Sequence, residues 1–459
     1  MPQAKFSITF SKLGEKYGPL TWLTIPGQNI LIVNSLEAAK ELLEKRASTY
    51  ADRPKFTMAG DLLGMSKFLS FCTYDDWWKK QRSHFKHALS GGAVKRDYSP
   101  LLEAGAQEYV ARCAARPENA LYEAHRIAAE ITIKLTYGKL QDDRGRDYIK
   151  INGRISDILT DAAQGYVVDL FPALQHLPMW LPGMQFKRDA AQWKKEIQEG
   201  VGAVFELVKG NALSDDPDVQ SSFVYKKMQE LHEKHEEETD VEQKQEDEMA
   251  LAYSGFAIYL GGLETASIFV SYWILLELIS TFGLDPVYCR VLNPRYDSVP
   301  VGVPHASTQD DIYDGYFIPK GTTVIANAWA ITRNPKYYSN PSAFDPERYL
   351  KPSPELDPRE YIFGYGRRIC PGKDLASQNT WTLIASTLWA FKLVAVEDES
   401  VNLADEDLFT LGIVGWDTVI SASGVGADFV VLRSHPTPFK YRFVPRREGL
   451  KDTLRSTKA

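Results

Sequence analysis

Apolar positions in this chain recur at helical spacing far more often than they alternate. Asn34-Ser35 reads as a cap for a helix over Leu36 to Arg46, with Leu42 and Leu43 on its buried side. Tyr74 to Phe85 opens with acids and continues with bases, the charge order that a helix dipole favours. Two further helical patterns fill Leu101 to Leu140, the second closed at Tyr137-Gly138, and another runs from Lys373 to Phe391. The longest apolar stretch is Met249 to Phe282, broken by charge only at Glu264 and Glu277. Alternation is confined to short runs. Thr21 to Val33 predicts two strands around Pro26-Gly27, and Gly315 to Ala330 predicts strands paired around Pro319-Lys320-Gly321. The expected fold is mainly α with small β-sheets.

Other stretches lack a clean period. Ala51 to Thr73 reads as a loop-rich region. Between Asp161 and Arg188, prolines at 172, 178 and 182 repeatedly break an apolar segment containing Phe171, Leu174, Leu177 and Trp180. Glu230 to Glu248 is strongly acidic and predicts a solvated helix or linker. Its His232-Glu-Lys-His235 fragment is one residue short of the zinc-protease spacing, so no metal site is expected there. Met249 to Phe282 is long enough to span a bilayer, which takes about 20 apolar residues. A carboxylate near its centre would cost roughly 2.5–3.5 kcal/mol in lipid, and a helix apolar all round can equally lie inside a large protein.

Composition narrows the class. The 459 residues are 44% hydrophobic and 25% charged, which fits a soluble globular protein with a sizeable core. A net charge of -7 argues against nucleic acid as a partner. Cysteines at 72, 113, 289 and 370 form no C-x-x-C pair, so neither a disulfide framework nor a zinc knuckle is expected, and a reducing compartment is inferred. The first residues carry no apolar run suited to a signal peptide or anchor, which predicts a cytoplasmic location for the chain as it stands.

The candidate chemistry centres on Phe363-Gly-Tyr-Gly-Arg-Arg-Ile-Cys-Pro-Gly372. Glycines at 364, 366 and 372 would let the backbone fold tightly around Cys370 and offer it N–H groups. Arg368 adds positive charge and Phe363 an apolar cover, surroundings that suit a thiolate ligand for a soft metal. A buried free cysteine in a turn is the plainer alternative.

Phe363, Gly366, Arg368, Cys370 and Gly372 stand in the spacing F-x-x-G-x-R-x-C-x-G, which resembles the haem-binding loop of the cytochrome P-450 family. The resemblance implies haem b with Cys370 as axial ligand to iron, Arg368 on a haem propionate and Phe363 against the sulfur. Trp78 and Arg82, four apart on one helical face, resemble the family's W-x-x-x-R pair for a propionate. His305, after Val301-Gly-Val-Pro304, is a further propionate candidate. Gly261-Gly-Leu-Glu-Thr265 resembles the central-helix motif. Glu264 and Thr265 are then the expected proton relay, and the glycines allow a flat ligand to approach. The 167–186 segment becomes a pocket roof that touches a membrane surface.

The implied protein is a single haem domain over 1–459, a eukaryotic monooxygenase of fungal type. It inserts one atom of O2 into a lipophilic substrate, with electrons from NADPH through an FAD/FMN reductase. The reductase is expected to dock near Arg367, Arg368 and Lys373. An intact member would sit at the endoplasmic reticulum membrane.

Two departures stand out. No E-x-x-R pair, whose partner downstream would be Arg348, lies between Thr265 and the cysteine loop; the J and K helix region after Phe282 is missing, and Arg348 is expected to lack its glutamate. Residues 415–433 form an unusual insert between two segments resembling the last strands. Both are expected to reflect displaced exon boundaries. The rival readings are a non-catalytic remnant that binds haem poorly, a haem-binding sensor, and a haem-thiolate isomerase or dehydratase.

Overall fold

A computed structural model describes residues 6–25, 27–139, 147–163, 165–210, 216–235, 240–279, 301–341, 345–395, 409–411, 434–436, 441–447 and 450. Its helices are α1 (Phe6–Tyr17), α2 (Leu36–Lys40), α3 (Asp76–Ala88), α4 (Ser99–Ala115), α5 (Ala120–Tyr137), α6 (Tyr148–Ala163), α7 (Gln185–Gly210), α8 (Phe223–Lys234), α9 (Val241–Ile279) and α10 (Lys373–Ala390), with shorter helical turns between them. The cap expected at Ser35 is present, its hydroxyl accepting from Ala38 N, and Asp75 caps α3 in the same way through Trp78 N. Gly138 ends α5 in a left-handed conformation.

Helix α9, 39 residues long, is the axis of the molecule. It packs against α5 most extensively, and against α3, α8 and α10. Leu251, Phe256, Tyr259, Val270 and Ile274 are almost fully buried on it. The apolar run is therefore explained by burial in protein, and no described helix is long and apolar enough to cross a membrane. Gly262 allows the close approach to α5, since a Cβ there would lie 2.9 Å from Thr132 Cγ2.

The sheets are small. β1 (Leu20–Ile25) and β2 (Gln28–Val33) pair antiparallel as expected. The second expected hairpin is corrected. β6 (Thr323–Ala326) runs parallel to β2 and antiparallel to β3 (His305–Ala306), while β5 (Tyr316–Ile318) pairs with β4 (Asp311–Tyr313). The turn is Asp314-Gly315, both at positive φ, a two-residue hairpin signal that outranks Pro-Lys-Gly. β7 (Phe391–Ala395) pairs with the last strand, β10 (Tyr441–Pro445). β8 (Phe409–Leu411) and β9 (Ser434–Pro436) pair across the unusual insert. The insert itself, 415–433, and the region after Phe282 lie outside the described residues.

Two further expectations change. Ala51 to Thr73 contains helical turns over Thr57–Leu62 and Met65–Lys67, and buries Met58, Leu63 and Met65. Inside the acidic stretch, Asp247 is only 3% exposed as a side chain and meets Lys80 at 2.7 Å, Lys234 at 2.9 Å and His235 at 3.0 Å, so α3, α8 and α9 are tied at one carboxylate. Burial raises the Asp247 pKa, but hydrogen bonds from Lys80 and Lys234 outweigh it and hold the carboxyl below its usual range.

A group with a depressed folded pKa stabilises above its unfolded value and loses that contribution as pH falls. Asp247→Asn should therefore cost about 1.5–3 kcal/mol in urea unfolding near neutral pH. The gap from wild type should begin to narrow as the pH drops below about 4, the ordinary Asp value, and close only below the depressed folded value.

Candidate active site

The cysteine loop is a set of short backbone bonds. Cys370 N donates to Phe363 O at 2.7 Å, Gly364 N to Tyr361 O at 3.1 Å, and Arg368 N to Tyr365 O at 3.1 Å. Gly364 and Gly366 sit at φ +78° and +50°, and a Cβ on Gly366 would fall 2.2 Å from Leu43 O. The loop is therefore seated on the backbone turn after α2, and only glycine fits there. Gly372 differs from expectation: its φ is -89°, and a Cβ would stand 3.9 Å from Cys370 Sγ, an ordinary contact. Burial pushes the Cys370 thiol up, while the Gly372 N–H and Arg82 oppose it with smaller effect. These donors do not by themselves make the sulfur a thiolate; a cation bound to it would.

Cys370 faces a cavity of about 270 Å³ whose lining includes Arg53, Trp78, Arg82, Thr265, His305, Phe363 and Arg368. Apolar walls come from Leu69, Val301, Val303, Ala326 and Ala328, and among the described residues the lining holds no aspartate or glutamate. Arg368 donates to Ala51 O at 2.6 Å, Leu69 O at 3.1 Å and Cys72 O at 2.8 Å, and lies 4.9 Å from the Trp78 ring centre. Arg53 donates to Ser70 O at 2.9 Å, Val303 O at 2.8 Å and Pro304 O at 2.7 Å. Burial lowers the pKa of both, and Arg368 adds repulsion at Arg53. His305 Nδ1 meets Tyr50 O at 2.8 Å. A carbonyl only accepts, so the proton is on Nδ1.

On the opposite side, Thr265 gives its hydroxyl proton to Gly261 O at 2.7 Å. The two glycines expected to admit a flat ligand divide their work. Gly262 packs on Thr132, whereas a Cβ on Gly261 would meet nothing within 4 Å. Glu264 belongs to α9, but its side chain lies outside the described residues.

One cavity thus gathers Trp78, Arg82, Thr265, His305, Phe363, Arg368 and Cys370 from segments far apart in sequence. Gly366 acts from below the loop, through Leu43. Arg53 had escaped sequence reading, because a lone arginine before a proline in an aperiodic stretch carries no signal. Arg348 is corrected. Buried at 2% exposure, it holds Glu355 at 2.8 Å, so the expected lack of a glutamate is filled locally.

Buried guanidiniums beside a cavity with no acid among its described lining residues favour an anionic ligand, and apolar walls beside a sulfur favour a flat, metal-bearing one. Haem, with two carboxylates and an iron, fits that donor set, and the class is that of haem-thiolate oxidoreductases. Comparison with known proteins agrees. The cytochrome P-450 family model matches residues 2–281 and 295–415, leaving 282–294 unmatched and stopping where the unusual insert begins. Cytochrome P-450 monooxygenase claR of Ampulloclitocybe clavipes is 28% identical over 99% of this chain and 85% of its own. Tryptamine 4-monooxygenase of Psilocybe cyanescens is 30% identical over 98% and 90%. A solved zebrafish cytochrome P-450 structure with progesterone shares the fold, with TM-score 0.70 at 19% identity over 96% of this chain and 100% of that one. The chain belongs to the cytochrome P-450 family; it is an oxygen-incorporating oxidoreductase with haem as cofactor.

The seat of the loop gives a contrast between two glycines. Gly366→Ala should destabilise the protein by more than about 4 kcal/mol or prevent its recovery in soluble form, because a backbone oxygen cannot move aside. Gly372→Ala should remain folded with a melting temperature near that of wild type, as thermal unfolding of both would record.

Proposed function

We propose that this chain, as a single domain, inserts one atom of O2 into a lipophilic organic substrate, taking electrons from NADPH through an FAD/FMN reductase. The observation that carries the reading is the single cavity shared by Cys370, the basic residues Arg53, Arg82 and Arg368, and Thr265. Haem bound there would supply the redox chemistry that activates O2. Cys370 would hold the iron, and Trp78, Arg82 and His305 the carboxylates. His305 can meet a carboxylate only as imidazolium, because its neutral ring keeps the proton on the Tyr50 side. Arg53 and Arg368 spend their N–H groups largely on backbone carbonyls, so they fix the walls and supply charge. Thr265, having donated to Gly261 O, presents its oxygen as an acceptor that can hold a water, with Glu264 as the proposed proton source. Leu69, Val301, Val303, Ala326 and Ala328 would exclude bulk water and select an apolar substrate.

A second, more open groove of about 530 Å³ reaches Cys370 from outside, lined by Lys79, Arg82, Lys86, Lys373 and a single acid, Asp374. Of the residues expected to receive the reductase, Arg368 is buried and cannot do so. Lys79, Lys86 and Lys373 take its place in this reading, beside exposed Arg367. Val167, Phe171, Met179 and Trp180 are exposed by 62%, 53%, 43% and 78%, which supports contact of this segment with a membrane surface.

The deciding measurement is the Soret band of the reduced, carbon monoxide-bound protein, expressed with a haem supply. A strongly red-shifted band, absent in Cys370→Ala, is expected. A wild-type chain that takes up no haem would favour the remnant instead. For the groove, a Lys86→Glu, Lys373→Glu double variant should keep that band after chemical reduction. Its reduction by the flavin reductase should slow roughly tenfold or more at low salt, with the difference shrinking as salt rises.

A further inference from the structure

Arg348 sits in the short helical turn Pro346–Tyr349 at 2% exposure, far too buried to be left without a counter-charge. Its Nη1 donates to Glu355 Oε2 at 2.8 Å, its Nη2 to Asn340 O at 2.8 Å and its Nε to Asp345 O at 3.0 Å. Glu355 closes the arrangement from the other end. Its backbone N donates to Arg348 O at 3.1 Å, and its carboxylate accepts from Ser339 Oγ at 2.6 Å and Ser339 N at 3.2 Å. Both partners therefore grip the chain at 339–340.

The residue before that grip is Tyr338, fully buried, with the Arg348 guanidinium 5.8 Å from its ring centre. The Tyr338 hydroxyl donates to Leu356 O at 3.1 Å and lies 2.8 Å from the Tyr361 hydroxyl. Each hydroxyl has one proton, so Tyr361 must donate to Tyr338. Tyr361 is itself the first residue of the cysteine turn: its carbonyl accepts from Gly364 N, and its side chain lines the cavity. An unbroken series of short contacts thus leads from the ion pair to the backbone that carries Phe363 and Cys370.

We propose that Glu355 is a positioning residue for the Cys370 loop, acting through Arg348 and the Tyr338–Tyr361 hydroxyl pair. The inference rests on the reading that Cys370 binds haem iron. The pair spans only seven residues, so closing it costs little chain entropy and does not call on a helix from elsewhere. It gives this chain a local brace where the sequence offers no E-x-x-R pair between Thr265 and the loop.

The test compares wild type, Glu355→Gln, Tyr361→Phe and, as a control for general destabilisation, Glu130→Gln, which weakens a buried ion pair with Arg112 on α4 and α5. Haem per folded protein, the red-shifted fraction of the reduced carbon monoxide complex, and the melting temperature are read on the same samples. Glu355→Gln should lower the red-shifted fraction relative to the unshifted form roughly tenfold, the ratio given by about 1.4 kcal/mol of lost positioning. Tyr361→Phe, which leaves the ion pair intact, should move it in the same direction, and it carries the test if Glu355→Gln does not fold. Glu130→Gln should lower the melting temperature and leave the ratio unchanged. The proposal is overturned if Tyr361→Phe, and Glu355→Gln where it folds, keep the wild-type ratio, or if Glu130→Gln shifts it as much for the same loss of melting temperature. A wild-type protein lacking the red-shifted band would overturn the haem reading itself, a result distinguishable from either.

Discussion

Guanidinium charge buried beside a cavity whose described lining holds no acid is the constraint around which the site is built. Arg53 and Arg368 lie buried and Arg82 half-buried along one cavity, with no acid among its described lining residues, and burial together with repulsion from Arg53 and Arg368 holds the His305 pKa well below the usual histidine range. The protein manages part of the cost with backbone carbonyls, six of them for Arg53 and Arg368 together. Carbonyl dipoles solvate a guanidinium but do not neutralise it. The remaining charge favours an anionic occupant of the cavity.

What was legible in the sequence follows the range of the forces involved. Helices whose signal lies within the element, such as α2 with its Ser35 cap and α3 with its acid-first charge order and Asp75 cap, could be read. The Cys370 loop could be read because its ten residues carry five fixed identities. Illegible features depended on partners far away. Arg53 is a site residue only because 301–304 folds beside it, and Gly366 is required only because Leu43 O lies underneath. The strand pairing of β6 was misjudged for a similar reason. Its partner β2 is almost 300 residues distant, while the adjacent Pro-Lys-Gly offered a plausible local turn.

Arg348 shows that a motif's mechanical effect does not depend on the motif: no E-x-x-R pair lies between Thr265 and the loop, yet a carboxylate seven residues downstream of the arginine satisfies it. A buried guanidinium selects for any acid that can reach it, and the nearest in sequence reaches it most cheaply. The pairing of β8 with β9 has a similar character. Residues 409–411 and 434–436 pair antiparallel although they lie far apart in sequence.

Two close-packed glycines, Gly262 and Gly366, differ in what history could do with them. Gly262 would collide with a side chain, Thr132, so a larger residue at 262 could be accommodated by a smaller one at 132, and the pair is free to drift together. Gly366 would collide with a main-chain oxygen, which every amino acid carries. No second substitution at position 43 can relieve that encounter. Lineages descending from this chain can therefore exchange the residues of the central helix contact, but the seat of the cysteine loop offers them no reciprocal change.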